Sequence, residues 1–359
     1  MIPNQEQQAA QALVREIKNL AGKYAKRMRF MEVCGTHTMA IHAAGLKSLF
    51  PDNISLVSGP GCPVCVTEKH FIDHAILLAK KYDATVVTFG DLVRVPGSTG
   101  SLASWRSEGG SVRVIYSPLD SIEVALSQLP RPAVFLGVGF ETTIPTVAAT
   151  LKAAQARGVE NLFVLPAFKT IHQPLKILAE QQDLNGFLLP GHVSAIIGSD
   201  CYRYLSEDFG KPGVIAGFEP LDILLAVRDL VRMTLEKSPA ILNDYQRVVR
   251  HHGNPVARQI MNEVFEPADA SWRGLGMIPR SGLAFRESYA RFDAAARFPV
   301  EVPESKDDPR CLCAAILTGS RTPDRCGLFG KECTPEEPVG PCMVSSEGTC
   351  AAYYKYGAV

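Results

Sequence analysis

The sequence predicts an α/β protein with two similar α/β lobes, whose mostly parallel sheets face a cleft, and a small cysteine-rich C-terminal region. Three observations carry this. From Met28 to about Ala240, short β-branched or apolar runs alternate with amphipathic segments, the pattern of βαβ units. Many of these runs end directly in polar or glycine-rich loops, and open α/β sheets bind ligands outside the carboxyl ends of their strands. The same order of strand, short loop and helix occurs on both sides of about residue 130. The expected organisation is residues 1–130 as a first lobe, 131–242 as a second and 243–359 as the C-terminal region.

Taken in order, the N-terminal "MIPNQEQQAAQALVREIKNLAGKYAKR" is polar and helix-forming. Strands are predicted at "RFMEV", "ISLVS", "ATVVTFG", "VRVIY", "AVFLGVG", "NLFVLPA", "GFLLPG" and "GVIAGF", with helices near 68–81, 119–129, 143–157, 173–182 and 220–236. The stretch "FPVEVPESKDDPR" reads as an exposed, proline-interrupted connector to a tail too rich in loops to bury a large core. Small cores of that kind are usually supplemented by a metal or by docking on a neighbour.

Composition sets the compartment and removes some partners. The 359 residues are 46% hydrophobic and 21% charged, which excludes large-scale disorder. Lys plus Arg and Asp plus Glu balance at 37 each, so the overall field attracts neither nucleic acid nor an anionic membrane. The N-terminal stretch lacks the apolar core of a signal peptide, and no run reaches the roughly 20 apolar residues of a membrane span. A cytoplasmic location is expected, and there the ten cysteines point to metal binding or thiol chemistry, not structural disulfides.

The cysteines fall into two groups, predicting two sulfur sites. Cys311, Cys313, Cys326, Cys333, Cys342 and Cys350 crowd the last 49 residues. Four thiolates suit zinc or an iron-sulfur cluster, and the absence of paired C-x-x-C knuckles favours the cluster. The expected ligands are Cys313, Cys326, Cys333 and Cys350, with Cys311 and Cys342 in reserve. Earlier, "GPGCPVC" holds Cys62 and Cys65 ahead of a predicted helix, whose N-terminus would lower thiol pKa and favour a reversible disulfide. A zinc half-site completed by His70, His74 or Cys34 is the competing reading. In "MEVCGTHT", Cys34 ends a strand and His37 follows in a turn, where the two can share a metal or the His can hold the thiolate, provided the loop is exposed.

Other strand-end loops offer binding positions. Glu141, Thr142 and Thr143 in "VGFETT" can hold an anion or simply cap a helix. His172 and His192 taken singly read as hydrogen-bonded loop histidines, and Glu219 and Asp222 in "GFEPLD" as helix-capping residues. The sequence has no Walker A motif, no G-x-G-x-x-G after a strand, no H-E-x-x-H and no G-x-S-x-G, which weakens nucleotide and hydrolase readings.

Six strings together, "MEVCGTHT", "SGPGCPVCVT", "VGFETT", "GHVSAIIG", "GFEPLDIL" and "FGKECTPEEPVGPCMVSSEGTCAAYYKYG", resemble the HypD family of nickel-iron hydrogenase maturation over about residues 28–357. The resemblance implies a scaffold shared with a smaller partner, HypC, on which an Fe(CN)2CO unit is assembled. Cyanide would come from HypE, itself supplied by HypF. On the same grounds Cys34 would bind the iron jointly with a partner thiolate, with His37 beside it. Cys62 and Cys65 would form the redox pair, and the tail would hold a 4Fe-4S cluster that passes electrons toward them. His192 joins Glu141, Thr142 and Thr143 as a candidate binding position, since it too lies in a motif of the resemblance. A cluster-linked thiol-disulfide oxidoreductase, in which Cys34 is dispensable, is the alternative. A colourless structural zinc protein is the third reading.

Overall fold

The computed structural model describes residues 5–305 and 307–357. Among the described residues there are eleven strands: β1 Met28–Glu32, β2 Ile54–Ser58, β3 Thr85–Thr88, β4 Val112–Val114, β5 Ala133–Gly139, β6 Leu162–Phe168, β7 Gly186–Pro190, β8 Gly213–Ala216, β9 Ile241–Asn243, β10 Phe265–Trp272 and β11 Gly276–Phe285. Nine of them build two all-parallel sheets, ordered β2-β1-β7-β8-β9 and β4-β3-β5-β6. Central strands covered on both faces need apolar side chains throughout. Accordingly, every residue of β5 is buried, and β5 pairs with β6 from Ala133↔Leu162 to Gly139↔Phe168.

The sheets divide the chain differently from a boundary at residue 130. β1 and β2 belong with β7–β9, while β3–β6 form the other sheet, so one α/β lobe is inserted into the other. The cause is the edge position of β2: the chain leaves the first sheet there and returns only at β7, which pairs with β1. Three apolar cores follow from this layering. One bridges the sheets through Val57, Val138 and Phe187. The others lie on outer faces, around Phe30, Ile41, Leu188 and Val227 and around Phe135, Ile144, Leu151 and Phe168. The N-terminal helix Gln5–Ala21 packs on the helix Pro220–Glu236 and buries Ile17 and Ala21.

β9 and the antiparallel pair β10–β11 add to the eight strands expected. The hairpin docks on β6, and Trp272, fully buried, stacks on Phe140 with ring centroids 5.8 Å apart and donates to Ser281 Oγ at 2.8 Å. Beyond Pro299 the chain runs without regular structure to the tail, and Lys306 of the expected connector lies outside the described residues. The tail contributes the helices Cys313–Leu317 and Thr349–Tyr356, the second of which packs on the helix Gly35–Ala43 that follows β1.

Candidate functional site

Sheet order directs attention to two places. In the first sheet the chain leaves β1 toward β2 on one side and β7 lies on the other, so a crevice opens at the carboxyl ends of β1 and β7. Cys34 and His37 follow β1, and His192 follows β7. In the second sheet the equivalent reversal lies between β3 and β5, which puts the loops holding Asp91 and Glu141 at that edge.

Cys34 is the N-cap of the helix Gly35–Ala43, so the turn expected around His37 is the first turn of a helix. Both side chains are buried, contrary to the exposed loop expected: the tail lies beside Cys34, and His37 packs against Gly217 and Phe218. A Cβ on Gly35 would sit 2.5 Å from Cβ of Glu347, and Thr36 Oγ1 donates to Glu347 Oε1 at 2.7 Å. A Cβ on Gly61 would come within 2.4 Å of the Cys34 nitrogen, so the loop after β2 closes the other side. Burial, reinforced by the Glu347 charge, pushes the Cys34 thiol up to about 12, with the N–H groups of His37 and Thr36 opposing.

His37 Nε2 lies 2.9 Å from the Gly217 carbonyl after β8. A carbonyl only accepts, so the proton sits on Nε2 and Nδ1, which has no partner, keeps a free lone pair. Burial lowers the imidazole to about 4, and it is neutral near pH 7. The ring meets Phe218 at 4.7 Å, and Phe218 stacks on His192 at 4.1 Å, which brings His192 to the same crevice.

Cys62 caps the short helix Pro63–Val66, its Sγ accepting the Cys65 N–H at 3.1 Å. That helix is separate from His70–Tyr82, and burial holds the Cys65 thiol well above its ordinary pKa, the reverse of the expected lowering. Cys62 Sγ donates to Ser345 Oγ at 3.3 Å, and Ser345 Oγ donates to Asp91 Oδ2 at 3.1 Å. The tail stretch Ser345–Glu347 therefore touches the thiol pair, the Cys34 helix and the β3 loop at once.

All six tail cysteines line one apolar cavity with Ile316, Leu328 and Met343. Cys342 touches both Cys313 and Cys350. Cys313 Sγ and Cys342 Sγ are 2.8 Å apart, and Cys342 and Cys65 each act on the other's ionisation. Gly340 leaves room beside Cys311, where a Cβ would lie 3.0 Å from Sγ. Among the described residues, no three His, Cys, Asp or Glu side chains converge as a single metal ion requires. Thiols spread around a cavity suit a polynuclear cluster, whose irons occupy separate corners, so the donor set fits an iron-sulfur group.

Glu141, Thr142 and Thr143 belong to the other sheet. Glu141 is buried and its Oε1 accepts the Ile171 N–H at 3.0 Å. Thr143 precedes the helix Ile144–Ala156 without a capping side-chain bond. His172 opens the helix His172–Ala179 and its ring packs on Tyr204. Asp91, Ser345 and Glu347 escaped the sequence reading, although "GDL" and "SSEG" sit in loops that carried the signal of a strand end and of the cysteine tail.

A sequence model described as HypD, hydrogenase formation hypA family, matches residues 8–357. The chain belongs to the HypD family. It is 43% identical to the hydrogenase maturation factor HypD of Escherichia coli over 357 residues, covering 99% of this chain and 96% of that protein. The HypD of Rhizobium leguminosarum bv. viciae is also 43% identical, with 97% and 93% covered. A putative hydrogenase expression/formation protein of Methanocaldococcus jannaschii is 41% identical, with 95% of each chain covered. The protein is thus one of the hydrogenase maturation factors, and among its described residues no helix is long and apolar enough to cross a membrane.

Proposed function

We propose that this HypD-family chain is a cytoplasmic scaffold that, with HypC, holds the iron of nickel-iron hydrogenase while two cyanides and one carbon monoxide are added. The supporting observation is that one tail stretch, Ser345–Glu347, joins the Cys34 crevice to the Cys62–Cys65 pair. Cys34 anchors the iron as substrate together with a partner thiolate, and HypE, fed by HypF, delivers cyanide. The free thiol stays protonated near pH 7, so the arriving iron(II), a soft-ligand acceptor, itself favours loss of the proton. The neutral His37 presents its unpaired Nδ1 beside that position.

Cys313, Cys326, Cys333 and Cys350 are the proposed ligands of a 4Fe-4S cluster, with Cys311 and Cys342 lining the same cavity. When bound, such a cluster supplies electrons one at a time to neighbouring thiols. Cys313, Cys342 and Cys65 then form a run of sulfurs leading toward Cys62. Reducing a Cys62–Cys65 disulfide takes two electrons and two protons, and the hydroxyl of Ser345 links Cys62 to the Asp91 carboxylate as a route for one of those protons.

The test is infrared spectroscopy of the protein co-purified anaerobically with HypC. Bands of iron-bound cyanide and carbon monoxide that vanish in Cys34→Ala are expected. Their absence from a brown protein with intact cluster would favour the cluster-linked thiol-disulfide oxidoreductase, for which the sulfur run alone suffices.

A further inference from the structure

Lys169, just past β6, is 6% exposed, yet among the described residues its ammonium makes no hydrogen bond and no ion pair. The stem is buried and the ammonium reaches water only through a cleft; a cation held mostly out of water without a partner is costly, and proteins usually pair it or shift its pKa. Burial does push Lys169 down, to about 8, with the Glu68 charge opposing. The side chain lines a cleft of about 390 Å³ between the end of β6, the β10–β11 hairpin and the segment Thr67–Phe71. Phe71, Phe168 and Leu283 supply apolar wall.

The titratable groups of the cleft are graded by depth. Lys169 is deepest. Glu68 and Asp269 stand nearer solvent, Glu68 against His70 at 3.2 Å and Asp269 accepting the Arg280 N–H at 3.0 Å. A plain anion would meet Lys169 but be repelled at the rim, and a plain cation would face the reverse. A molecule with an inner carboxylate, an outer amine and an apolar body matches all three.

We propose that this cleft binds a small zwitterion of the amino-acid class, its carboxylate on Lys169, its amine toward Glu68 and Asp269, and its side chain against Phe71, Phe168 and Leu283. Nothing in this depends on the iron chemistry above. The wall residue Thr67 directly follows the Cys62–Cys65 helix, and its carbonyl accepts from Arg273 at 3.0 Å, so the cleft is held in place from the hairpin side.

Calorimetric titration of the intact, anaerobically purified chain with L-phenylalanine tests the proposal. Binding is expected, with 3-phenylpropanoate and 2-phenylethylamine each weaker by roughly tenfold or more, as loss of a charge-assisted contact implies. Lys169→Met, which removes an unpaired buried charge and keeps the volume, should fold and lose the binding. Asp269→Asn, at an exposed position, should weaken it without any question of folding. No heat at millimolar phenylalanine, or equal affinity in Lys169→Met and Asp269→Asn, would overturn the site.

Discussion

The sulfurs of Cys313 and Cys342 lie 2.8 Å apart, buried in the cavity that all the tail cysteines line, and Cys342 also faces Cys65. Its place beside Cys65 separates Cys342 from thiols that spacing leaves equivalent. Cys342→Ser is expected to keep its iron and acid-labile sulfide while slowing reduction of the Cys62–Cys65 pair, and Cys333→Ser to lose both. Iron analysis and thiol counting after anaerobic reduction check this. Equal iron loss in the two variants would return Cys342 to the ligand set.

Gly35→Ala probes the docking of the tail. The added Cβ would meet Glu347 Cβ at 2.5 Å and its carbonyl oxygen at 2.6 Å, neither of which can swing away as a flexible side-chain end would. Overpacking of this kind costs about 1–3 kcal/mol. The variant should unfold at lower urea concentration and fail in hydrogenase maturation, and a wild-type urea midpoint would show that the tail is not held there.

Asp91 Oδ2 accepts from Ser345 Oγ, Ser346 N and Ser346 Oγ at 3.1, 3.1 and 2.8 Å. Hydrogen bonds to a charged group contribute about 1.5–3 kcal/mol. Asp91→Ala should therefore loosen the segment between Cys342 and Cys350, which limited proteolysis followed by mass spectrometry would reveal as new cleavage near Ser346. Resistance equal to wild type would count against Asp91 as the anchor.

Glu141 couples stability to pH. Burial raises its carboxyl from 4.5 to about 7, and Oε2 has no partner. The folded state thus holds the proton more tightly than the unfolded one. Its stabilising effect is full below pH 4.5 and is lost as pH rises to about 7, a swing of about 3 kcal/mol. Urea midpoints measured across that range should show a decline in wild type that is shallower in Glu141→Gln, the remainder coming from Asp244 and Glu347, whose carboxyls burial also raises. Parallel profiles for the two proteins would refute the assignment.

Seven of the eight expected strands were legible because buried parallel strands are nearly unbroken apolar runs, as in "AVFLGVG", while the exposed edge strand β4 was legible from its β-branched alternation "VRV". β9 is short and only half-buried, and β10 carries Pro267 and Asp269 amid exposed positions, so neither has that signature. That Cys34, Cys62 and Cys65 lie just past strand ends was likewise legible. Their burial was not, because the covering group, Glu347, is 311 residues away from Thr36 in the chain. The same holds for Cys313 and Cys342, whose contact depends on how the tail folds and leaves no trace in spacing.

The insertion of one sheet into the other also sets an order of events during synthesis. β1 gains its second neighbour only when Phe30 can meet Gly186, and Cys34 and Cys62 gain their cover only when Ser345 and Glu347 have emerged. Contacts so distant in sequence close late. A nascent chain on the ribosome therefore displays its early cysteines uncovered until Ser345 and Glu347 have emerged, and the crevice beside Cys34 becomes complete only then.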